Sequence, residues 1–296
     1  MAITVAVLGS GNIGIDLVER LMREQDFSVK YFIGRRLDSP GLLRFASTKI
    51  QLLSNGTLSL AKIIDEVDGV FDATSAFDHP QHWDIVKSAK KWIIDLTPAK
   101  LGVPIAPILV HKVPSMKISP GVPSNYSMVT CGGQSSALLL HAIATGSKRI
   151  TEVEISSSIA ALSAGLATRR NIDQYVETTE NLGKILTSCN NVKAILVLNP
   201  ADPPVMMRTT VHIKAEKVDL NMINETLESG VVELQKFVPG YQITVHPTFV
   251  NDDVVTVTAK VTGAGYYLPP YAGNLDIINA AAVETAKLHT QIKAGD

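Results

Sequence analysis

The chain has 296 residues, of which 46% are hydrophobic and 19% are charged, a composition that excludes an intrinsically disordered protein. Its formal net charge of −1 gives no overall positive field for nucleic acid or an anionic membrane, so we expect neither as a partner. The apolar runs are shorter than the roughly 20 residues of a membrane-spanning helix. Two cysteines do not make a disulfide framework, so we expect a cytoplasmic protein.

The first 125 residues alternate short apolar runs with amphipathic segments. One amphipathic segment follows the first apolar run and extends to Glu24, and another covers residues 80–90. This pattern predicts a helix in each place. Strands that alternate with helices predict a parallel, doubly wound sheet. The apolar runs that predict its buried strands are residues 3–8, 29–33, 70–72 and 92–95.

The second half has longer β-type runs, with a helix predicted at residues 220–237. This pattern predicts an α+β domain with a mainly antiparallel sheet, followed by a terminal helix at residues 275–293 of the kind that often packs back on the first domain. We therefore divide the chain into a dinucleotide-binding domain of residues 1–127 plus 275–296, and a second domain of residues 128–274. The β-type runs are residues 152–160, 193–198, 209–215, 241–247 and 254–262.

A glycine-rich turn stands between the first strand and the first helix. Gly9 allows the tight turn, Gly11 lets a pyrophosphate approach the backbone, and Gly14 lets helix and strand pack closely. The free N–H groups of the helix N-terminus then face the phosphates. The strand before it and the helix after it agree with a dinucleotide site. The turn consists of Gly9, Ser10, Gly11, Asn12, Ile13 and Gly14.

The residues after the second strand bear on which dinucleotide binds. NAD-binding proteins usually carry a carboxylate here for the ribose 2′-hydroxyl, but this chain has Arg35 and Arg36, with no acid before Asp38. Two guanidinium groups would suit the 2′-phosphate of NADP. They are equally compatible with two solvated loop arginines.

Cys131 is the candidate nucleophile. It is followed by Gly132 and Gly133 and then by an apolar helix. A thiol at a helix N-terminus gains thiolate character, and the glycines leave room for a substrate whose oxyanion the nearby N–H groups would hold. A small buried core cysteine is the alternative. Cys189 has no activating neighbour in the sequence and is interpreted as incidental.

The histidines and aspartates do not indicate a second catalytic or metal site. The seven histidines show no zinc spacing, so we expect no metal site and interpret them, His79 and His82 included, as surface or capping residues. Asp72 and Asp95 follow buried strands at the edge where α/β proteins bind ligands. They either shape the site or hydrogen-bond their own loops.

With these motifs in place, the chain resembles the acylating acetaldehyde dehydrogenases, which partner a 4-hydroxy-2-oxoacid aldolase in the degradation of aromatic compounds. The resemblance runs almost from end to end. Its segments are Gly-Ser-Gly-Asn-Ile-Gly (9–14), Phe-Asp-Ala-Thr-Ser-Ala (71–76), Ile-Asp-Leu-Thr-Pro-Ala (94–99), residues 128–134, Asn-Ile-Asp (171–173) with Glu-Thr-Thr (177–179), Asn-Pro-Ala-Asp-Pro-Pro (199–204) and residues 271–277.

The resemblance implies a two-domain fold like that of glyceraldehyde-3-phosphate dehydrogenase, with a catalytic and dimerisation domain. It implies that Cys131 forms an acyl thioester from a small aldehyde, that NAD accepts the hydride and that coenzyme A accepts the acyl group. It also implies a homodimer and a possible aldolase partner, with Asn274 near the nicotinamide. The cofactor loop that it implies is Ser163, Ala164, Gly165, Leu166, Ala167, Thr168, Arg169, Arg170 and Asn171.

The chain departs from the family pattern in four places. Thr209 follows Met-Arg where the family commonly has an aspartate that helps to deprotonate the cysteine, and threonine is no base near neutral pH. The loop at 165–171 lacks a glycine and a proline of the family pattern, Arg36 replaces the ribose-binding aspartate, and the stretch 249–254 is short. The alternatives are a catalytically weakened, cofactor-binding partner of an aldolase, or a semialdehyde dehydrogenase or reductase of the same fold.

Overall fold

The N-terminal strands form one parallel sheet in the computed structural model, which describes residues 2–121 and 123–294. Within those residues the order of the sheet is β3-β2-β1-β4-β5-β7-β6, so the chain winds outward from β1 in both directions. The carboxyl ends of β1 and β4 therefore flank a crevice of the kind that binds ligands in α/β folds. The strands are β1 (Ile3–Leu8), β2 (Phe27–Ile33), β3 (Gln51–Leu53), β4 (Gly69–Asp72), β5 (Trp92–Asp95), β6 (Val103–Pro104) and β7 (Ser124–Ser127).

The helices of this part connect the parallel strands. The first was predicted to reach Glu24 but ends at Leu21, because the N–H groups of Arg23 and Glu24 bond to carbonyls only three residues back, which tightens the last turn. The helix predicted at residues 80–90 begins one residue earlier and ends two earlier. The four helices described here are α1 (Asn12–Leu21), α2 (Pro40–Leu43), α3 (Gly56–Ile63) and α4 (His79–Ser88).

Strand β7 was not recognised in the sequence, because its Ser-Asn-Tyr-Ser residues lack the apolar pattern of a buried strand. All four are nevertheless buried. Asn125 hydrogen-bonds to Nε2 of His79 (2.9 Å), and the Tyr126 hydroxyl accepts from the backbone N–H of Ser119 (2.9 Å). These polar side chains are tolerated in a buried strand because the surrounding fold supplies partners for most of their polar atoms.

The second sheet is mixed, with the order β11-β12-β10-β8-β9. All its pairs are antiparallel except β8 with β9, so the predicted mainly antiparallel sheet is confirmed. Together with the parallel sheet, it confirms the predicted α/β plus α+β architecture. The strands are β8 (Ser147–Ala160), β9 (Val192–Asn199), β10 (Met207–Val218), β11 (Tyr241–Asn251) and β12 (Val254–Val261).

Helix α5 joins the two sheets. It packs against the inner faces of β8, β10 and β12 and also against α7, α8 and α9, so almost its whole length is buried. Its first residue is Cys131, which the buried helix holds at a fixed place between the sheets. The helices of this part are α5 (Cys131–Thr145), α6 (Leu166–Arg170), α7 (Ile172–Thr187), α8 (Leu220–Gln235) and α9 (Gly273–Ala294).

Helix α9 returns to the N-terminal sheet and packs on α1. Arg20 forms a buried ion pair with Asp276, and the Asn279 amide donates to Asp16 (2.8 Å). The predicted division of the chain near residue 127, with this helix added to the first part, stays a proposal. Among the described residues, no helix has the length and apolarity needed to cross a membrane.

Candidate active site

A cleft opens where the carboxyl ends of the parallel strands face the start of α5. Cys131 lies in its wall, and so does Ile13 from the glycine-rich turn. The loops after β4 and β5 contribute Thr74 and Thr97, and α9 contributes Asn274. The cleft therefore brings the predicted nucleophile and the predicted dinucleotide site together.

The glycine-rich turn has the backbone that its pattern predicts. Gly9 has a φ of +98°, and a Cβ on it would lie 2.3 Å from the carbonyl oxygen of Ala73. A Cβ on Gly14 would lie 1.8 Å from the carbonyl oxygen of Gly9. Gly11 faces open space, with no atom within 4 Å of a Cβ, and no side chain caps the N-terminus of α1. The residues present thus fit a dinucleotide pyrophosphate held by backbone N–H groups.

Asn274 offers a second sign of fit to a dinucleotide. Its side chain is buried in the cleft wall, and its Oδ1 atom has no hydrogen-bond partner among the described residues. A buried polar atom without a partner is costly, so it is suited to a ligand that carries a donor. The carboxamide of a nicotinamide is such a donor.

The predicted second cofactor loop meets the glycine-rich turn. The Asn12 side-chain amide donates to the carbonyl oxygen of Ser163 (3.5 Å), and Gly165 lies beside the same amide. Thr168 and Asn171 line the cleft. The 163–171 segment therefore closes one side of the cleft next to the first turn of α1.

Other residues of this loop face elsewhere. Arg169 binds two carbonyl oxygens of its own loop, those of Ala164 (3.2 Å) and Ala161 (2.9 Å), so its guanidinium is used to hold the loop. Leu166 and Arg170 are exposed. The side chain of Ala167 lies outside the described residues.

The two arginines after β2 are both exposed. Arg36 forms an ion pair with Asp38 at 3.2 Å between Nε and Oδ1, and the two side chains are 77% and 73% exposed. Such a solvated pair is weak and leaves the guanidinium free to reorient. A contact of Arg35 or Arg36 with a 2′-phosphate stays a prediction.

A second pocket lies beside Ser10, and sequence reasoning missed most of its residues. Ser39, Arg44 and Tyr267 line it, and the hydroxyls of Ser10 and Ser39 are 3.2 Å apart. Arg44 also pairs with Glu19 at 2.9 Å and stacks on Tyr267. The short helix α2, which brings Arg44 here, has no periodic pattern long enough to detect in the sequence.

Cys131 is the first residue of α5, as predicted. The preceding Thr130 caps the helix: its hydroxyl accepts from the N–H of Gly133 (2.8 Å) and lies 2.7 Å from the hydroxyl of Thr179. A Cβ on Gly132 would lie 2.1 Å from the hydroxyl oxygen of Tyr175. Glycine is thus needed after the cysteine because α7 packs directly on this turn.

Burial opposes the activation of the thiol that its place at a helix N-terminus favours. Burial raises the pKa of Cys131 to about 11, although hydrogen bonds from Tyr175 and from the N–H groups of Gly132 and Cys131 act to lower it. The loss of solvation therefore acts against the thiolate form. The predicted oxyanion donors are also engaged, because the N–H of Gly132 donates to Tyr175 (3.0 Å) and that of Gly133 donates to Thr130.

Tyr175 is the site residue that sequence reasoning missed. Its hydroxyl oxygen lies 3.7 Å from Sγ of Cys131. Burial raises the pKa of Tyr175 well above its ordinary value, and the neighbouring Cys131 raises it further, so the hydroxyl keeps its proton. Nothing local in the sequence marks it, because the contact joins two helices that are 44 positions apart in the chain.

Thr209 lies behind this tyrosine. It is fully buried on β10, opposite Ser157 of β8, and the two hydroxyl oxygens are 3.1 Å apart. Neither side chain ionises near neutral pH. The Thr209 position is therefore connected to Ser157 through neutral hydroxyl groups.

The interpretation of His79 and His82 as surface or capping residues was wrong. Both are buried, and both donate through Nδ1 to the same carboxylate oxygen of Asp72, at 2.9 and 2.8 Å. Burial would raise the pKa of Asp72, but the two histidines hold it well below its usual range. Sequence reasoning could not detect this, because Asp72 ends β4 and the histidines belong to the following helix.

Asp72 and Asp95 bind their own loops, one of the two alternatives left open by the sequence. Asp72 accepts from the backbone N–H (3.0 Å) and the hydroxyl (2.5 Å) of Thr74. Asp95 accepts from the N–H of Thr97 (2.7 Å), and burial raises its pKa to about 7. Both loops line the cleft. Within residues 2–121 and 123–294, no group of three or more ligating side chains is arranged to hold a metal ion.

Comparison with known families matches both parts of the chain. Residues 4–119 match the family model described as semialdehyde dehydrogenase, NAD binding domain. Residues 131–269 match the model described as prokaryotic acetaldehyde dehydrogenase, dimerisation. The N-terminal match agrees with the glycine-rich turn, and the C-terminal match begins at Cys131.

Individual relatives match over nearly the full chain. The chain is 40% identical over 293 residues to an acetaldehyde dehydrogenase of Pectobacterium atrosepticum, which covers 99% of this chain and 97% of the relative. It is 41% identical over 283 residues to one of Spirochaeta aurantia, with 96% and 93% coverage. It is 40% identical over 291 residues to one of Geobacillus stearothermophilus, with 96% and 95% coverage.

Proposed function

The chain belongs to the acetaldehyde dehydrogenase family, an oxidoreductase family with an NAD-binding domain, and from that premise we propose that it oxidises acetaldehyde or another short aldehyde to an acyl-coenzyme A. The observation that carries the proposal is the position of Cys131, which shares one cleft with Ile13 of the glycine-rich turn and with Asn274. A nucleophile beside a dinucleotide site is the arrangement that oxidation through a thioester requires.

The dinucleotide supplies an acceptor for the hydride when it is bound. The first-turn N–H groups of α1, at Asn12 and Ile13, would hold its phosphates. Asn274, with its unpartnered Oδ1, would orient the nicotinamide end, while Thr168 and Asn171 close the side of the cleft. Arg35 and Arg36 would favour NADP over NAD if either one contacts the 2′-phosphate.

Cys131 performs the covalent steps in this proposal. Its thiolate forms a bond to the carbonyl carbon of the aldehyde, and the carbonyl π pair moves to oxygen, which takes a proton from solvent to give a thiohemiacetal. A hydride then leaves that carbon for the dinucleotide acceptor and the hydroxyl proton leaves to solvent, which gives a thioester on Cys131. Exchange with the thiol of coenzyme A then releases the acyl group and restores the Cys131 thiol.

The apolar side chains that line most of the cleft favour a small, uncharged aldehyde. A phosphorylating semialdehyde dehydrogenase would need basic side chains for phosphate, and among the described lining residues none is basic. Thr209, whose hydroxyl is no base near neutral pH, favours the second candidate, a catalytically weakened, cofactor-binding subunit. That candidate would bind dinucleotide but turn over slowly at neutral pH.

We also propose a homodimer, since residues 131–269 match a dimerisation model. Apolar side chains on edge strands β9 and β11 support this, because Val197 and Phe249 are 42% and 43% exposed in the single chain. An aldolase partner and a cytoplasmic location stay predictions from the family resemblance and the composition.

The test is a panel of short aldehydes, assayed for NADH or NADPH formation with and without coenzyme A. We expect coenzyme A-dependent reduction with acetaldehyde and its near homologues, and mass spectrometry should detect the acyl-coenzyme A. If folded protein binds dinucleotide but reduces none with any aldehyde at pH 7 to 10, the weakened-subunit candidate replaces the enzyme. Reduction that depends on phosphate instead of coenzyme A would favour the semialdehyde class.

A further inference from the structure

Three hydroxyl groups lead from the second sheet to the sulfur of Cys131, those of Thr209, Ser157 and Tyr175. We propose that Tyr175 is a catalytic residue whose hydroxyl donates a hydrogen bond to the Cys131 thiolate, and that Ser157 and Thr209 orient that hydroxyl toward the sulfur. This inference rests on the proposed function, because it assigns the group that stabilises the attacking form of the same cysteine.

The contacts converge on the backbone of one glycine. The Tyr175 hydroxyl oxygen lies 3.7 Å from Sγ of Cys131 and accepts from the N–H of Gly132 at 3.0 Å. A Cβ on Gly132 would lie 2.1 Å from that oxygen and 2.6 Å from the Ser157 hydroxyl oxygen. The phenol and the serine hydroxyl therefore meet beside the cysteine, and only a glycine leaves room for both.

The direction of the hydrogen bonds follows from what each group can do. The N–H of Gly132 only donates, so the Tyr175 oxygen is its acceptor. Ser157, whose hydroxyl oxygen lies beside the same glycine, acts to lower the pKa of Tyr175, as a donor to the phenol oxygen does. Thr209, 3.1 Å from Ser157, can donate to the serine oxygen in turn. The phenolic proton is then left for the sulfur.

Successive donation strengthens the last bond. A hydroxyl that accepts hydrogen bonds becomes a better donor, and the effect is larger where water is excluded. All four side chains are buried: Cys131 is 8% exposed, Tyr175 7%, Ser157 1% and Thr209 0%. The chain of hydroxyls therefore directs partial positive charge at Sγ without placing a charged group in the cleft.

Tyr175 is a donor and not a base. Its own pKa is raised well above the ordinary value, so it does not take the thiol proton, which leaves to solvent in the cleft. Among the described residues, the groups that lower the pKa of Cys131 are Tyr175 and the N–H groups of Gly132 and Cys131, none of them charged. Tyr175 is thus the side chain available to hold the thiolate once it forms.

The test measures the thiol itself, in protein without added aldehyde or coenzyme A. In a Cys189→Ser background, which leaves Cys131 as the sole cysteine, the rate of alkylation by iodoacetamide is followed from pH 7 to 11. We expect Tyr175→Phe to slow alkylation about tenfold at pH 8, the loss of one hydrogen bond to a charged group, and to raise the apparent thiol pKa. Ser157→Ala should act in the same direction but less, and Thr209→Val least.

Tyr241→Phe is the matched control. It removes another fully buried tyrosine hydroxyl, which donates to the backbone of Ser135 further along the same helix, and it should leave the alkylation profile unchanged. Circular dichroism confirms that each variant is folded, and the Ser157→Ala result carries the test if Tyr175→Phe does not fold. The proposal is overturned if Tyr175→Phe has the same alkylation profile as the Cys189→Ser protein. If Tyr175→Phe does not fold, an unchanged profile in Ser157→Ala overturns it.

The two proposals fail separately. If Tyr175→Phe changes the alkylation profile but the protein does not oxidise any aldehyde, the hydroxyl chain is supported and the proposed function is contradicted. If the protein oxidises aldehyde but Tyr175→Phe leaves the alkylation profile unchanged, the proposed function is supported and the role of Tyr175 is contradicted.

Discussion

The two halves of the cleft bury their polar groups in opposite ways. On the side of the parallel sheet, Asp72, His79, His82 and Asp95 form a buried network of ionisable side chains, in which one carboxylate accepts from two histidines. On the side of α5, Cys131 is surrounded by neutral donors. The two carboxylates hold the loops that carry Thr74 and Thr97 through hydrogen bonds, whereas the donors around the thiol are neutral and burial favours its protonated form.

The largest expected effect is on the neutral side. Cys131→Ala should reduce aldehyde turnover by about 10⁴-fold or more, because no other described side chain of the cleft wall is a nucleophile of comparable strength. Dinucleotide affinity, measured by fluorescence titration with NADH, should be unchanged. Turnover that survives the substitution would contradict a thioester mechanism.

The side of the parallel sheet should respond in stability. Asp72→Asn removes the carboxylate that His79 and His82 share and leaves their buried rings poorly paired. We expect the free energy of unfolding in urea at pH 7 to fall by about 2–5 kcal/mol, because two buried donors lose the carboxylate that accepts from them. Glu233→Gln, in the exposed pair with Lys236, is the control and should have little effect. Equal losses in the free energy of unfolding would contradict the expectation that the buried group contributes more to stability than the exposed one.

Asp95 makes the same network sensitive to pH. Burial raises its pKa from 3.8 to about 7, so between these values the folded chain holds a proton that the unfolded chain has released. Its contribution to the free energy of unfolding therefore decreases as the pH rises through this window. Asp95→Asn should make the fall less steep, by up to about 1.4 kcal/mol per pH unit, in urea titrations at pH 4 to 7.

The exposed Asp84→Asn, on α4, should leave that slope as it is. A slope that Asp95→Asn does not alter would assign the pH dependence to other buried acids.

The smallest effect is expected at the exposed rim. Arg36→Asp should shift the ratio of NAD to NADP affinity toward NAD by a few-fold, because a 77% exposed guanidinium already paired with Asp38 contributes little. Isothermal titration with both dinucleotides measures it. Arg149→Asp, at another exposed ion pair on the second sheet, is the control. An unchanged ratio would remove Arg36 from the dinucleotide site.

Prediction from the sequence succeeded where the signal is contiguous. The strand at Trp92–Asp95 and the start of α5 at Cys131 lie where apolar runs and glycines placed them. It failed at β7, whose polar side chains find their partners in distant segments. It also misjudged His79 and His82, because the burial of α4 depends on the sheet beneath it and not on its own pattern.

The amino-acid sequence by itself determined the turn from Gly9 to Gly14 and the placement of Cys131 at a helix start, because both are properties of a few adjacent residues. Only the tertiary structure decided what surrounds the sulfur. Burial between two sheets raises the pKa of Cys131 to about 11, against the direction expected of a helix N-terminus. The hydroxyls of Tyr175, Ser157 and Thr209 come from one helix and two strands, and they meet at the cysteine only because those elements pack together.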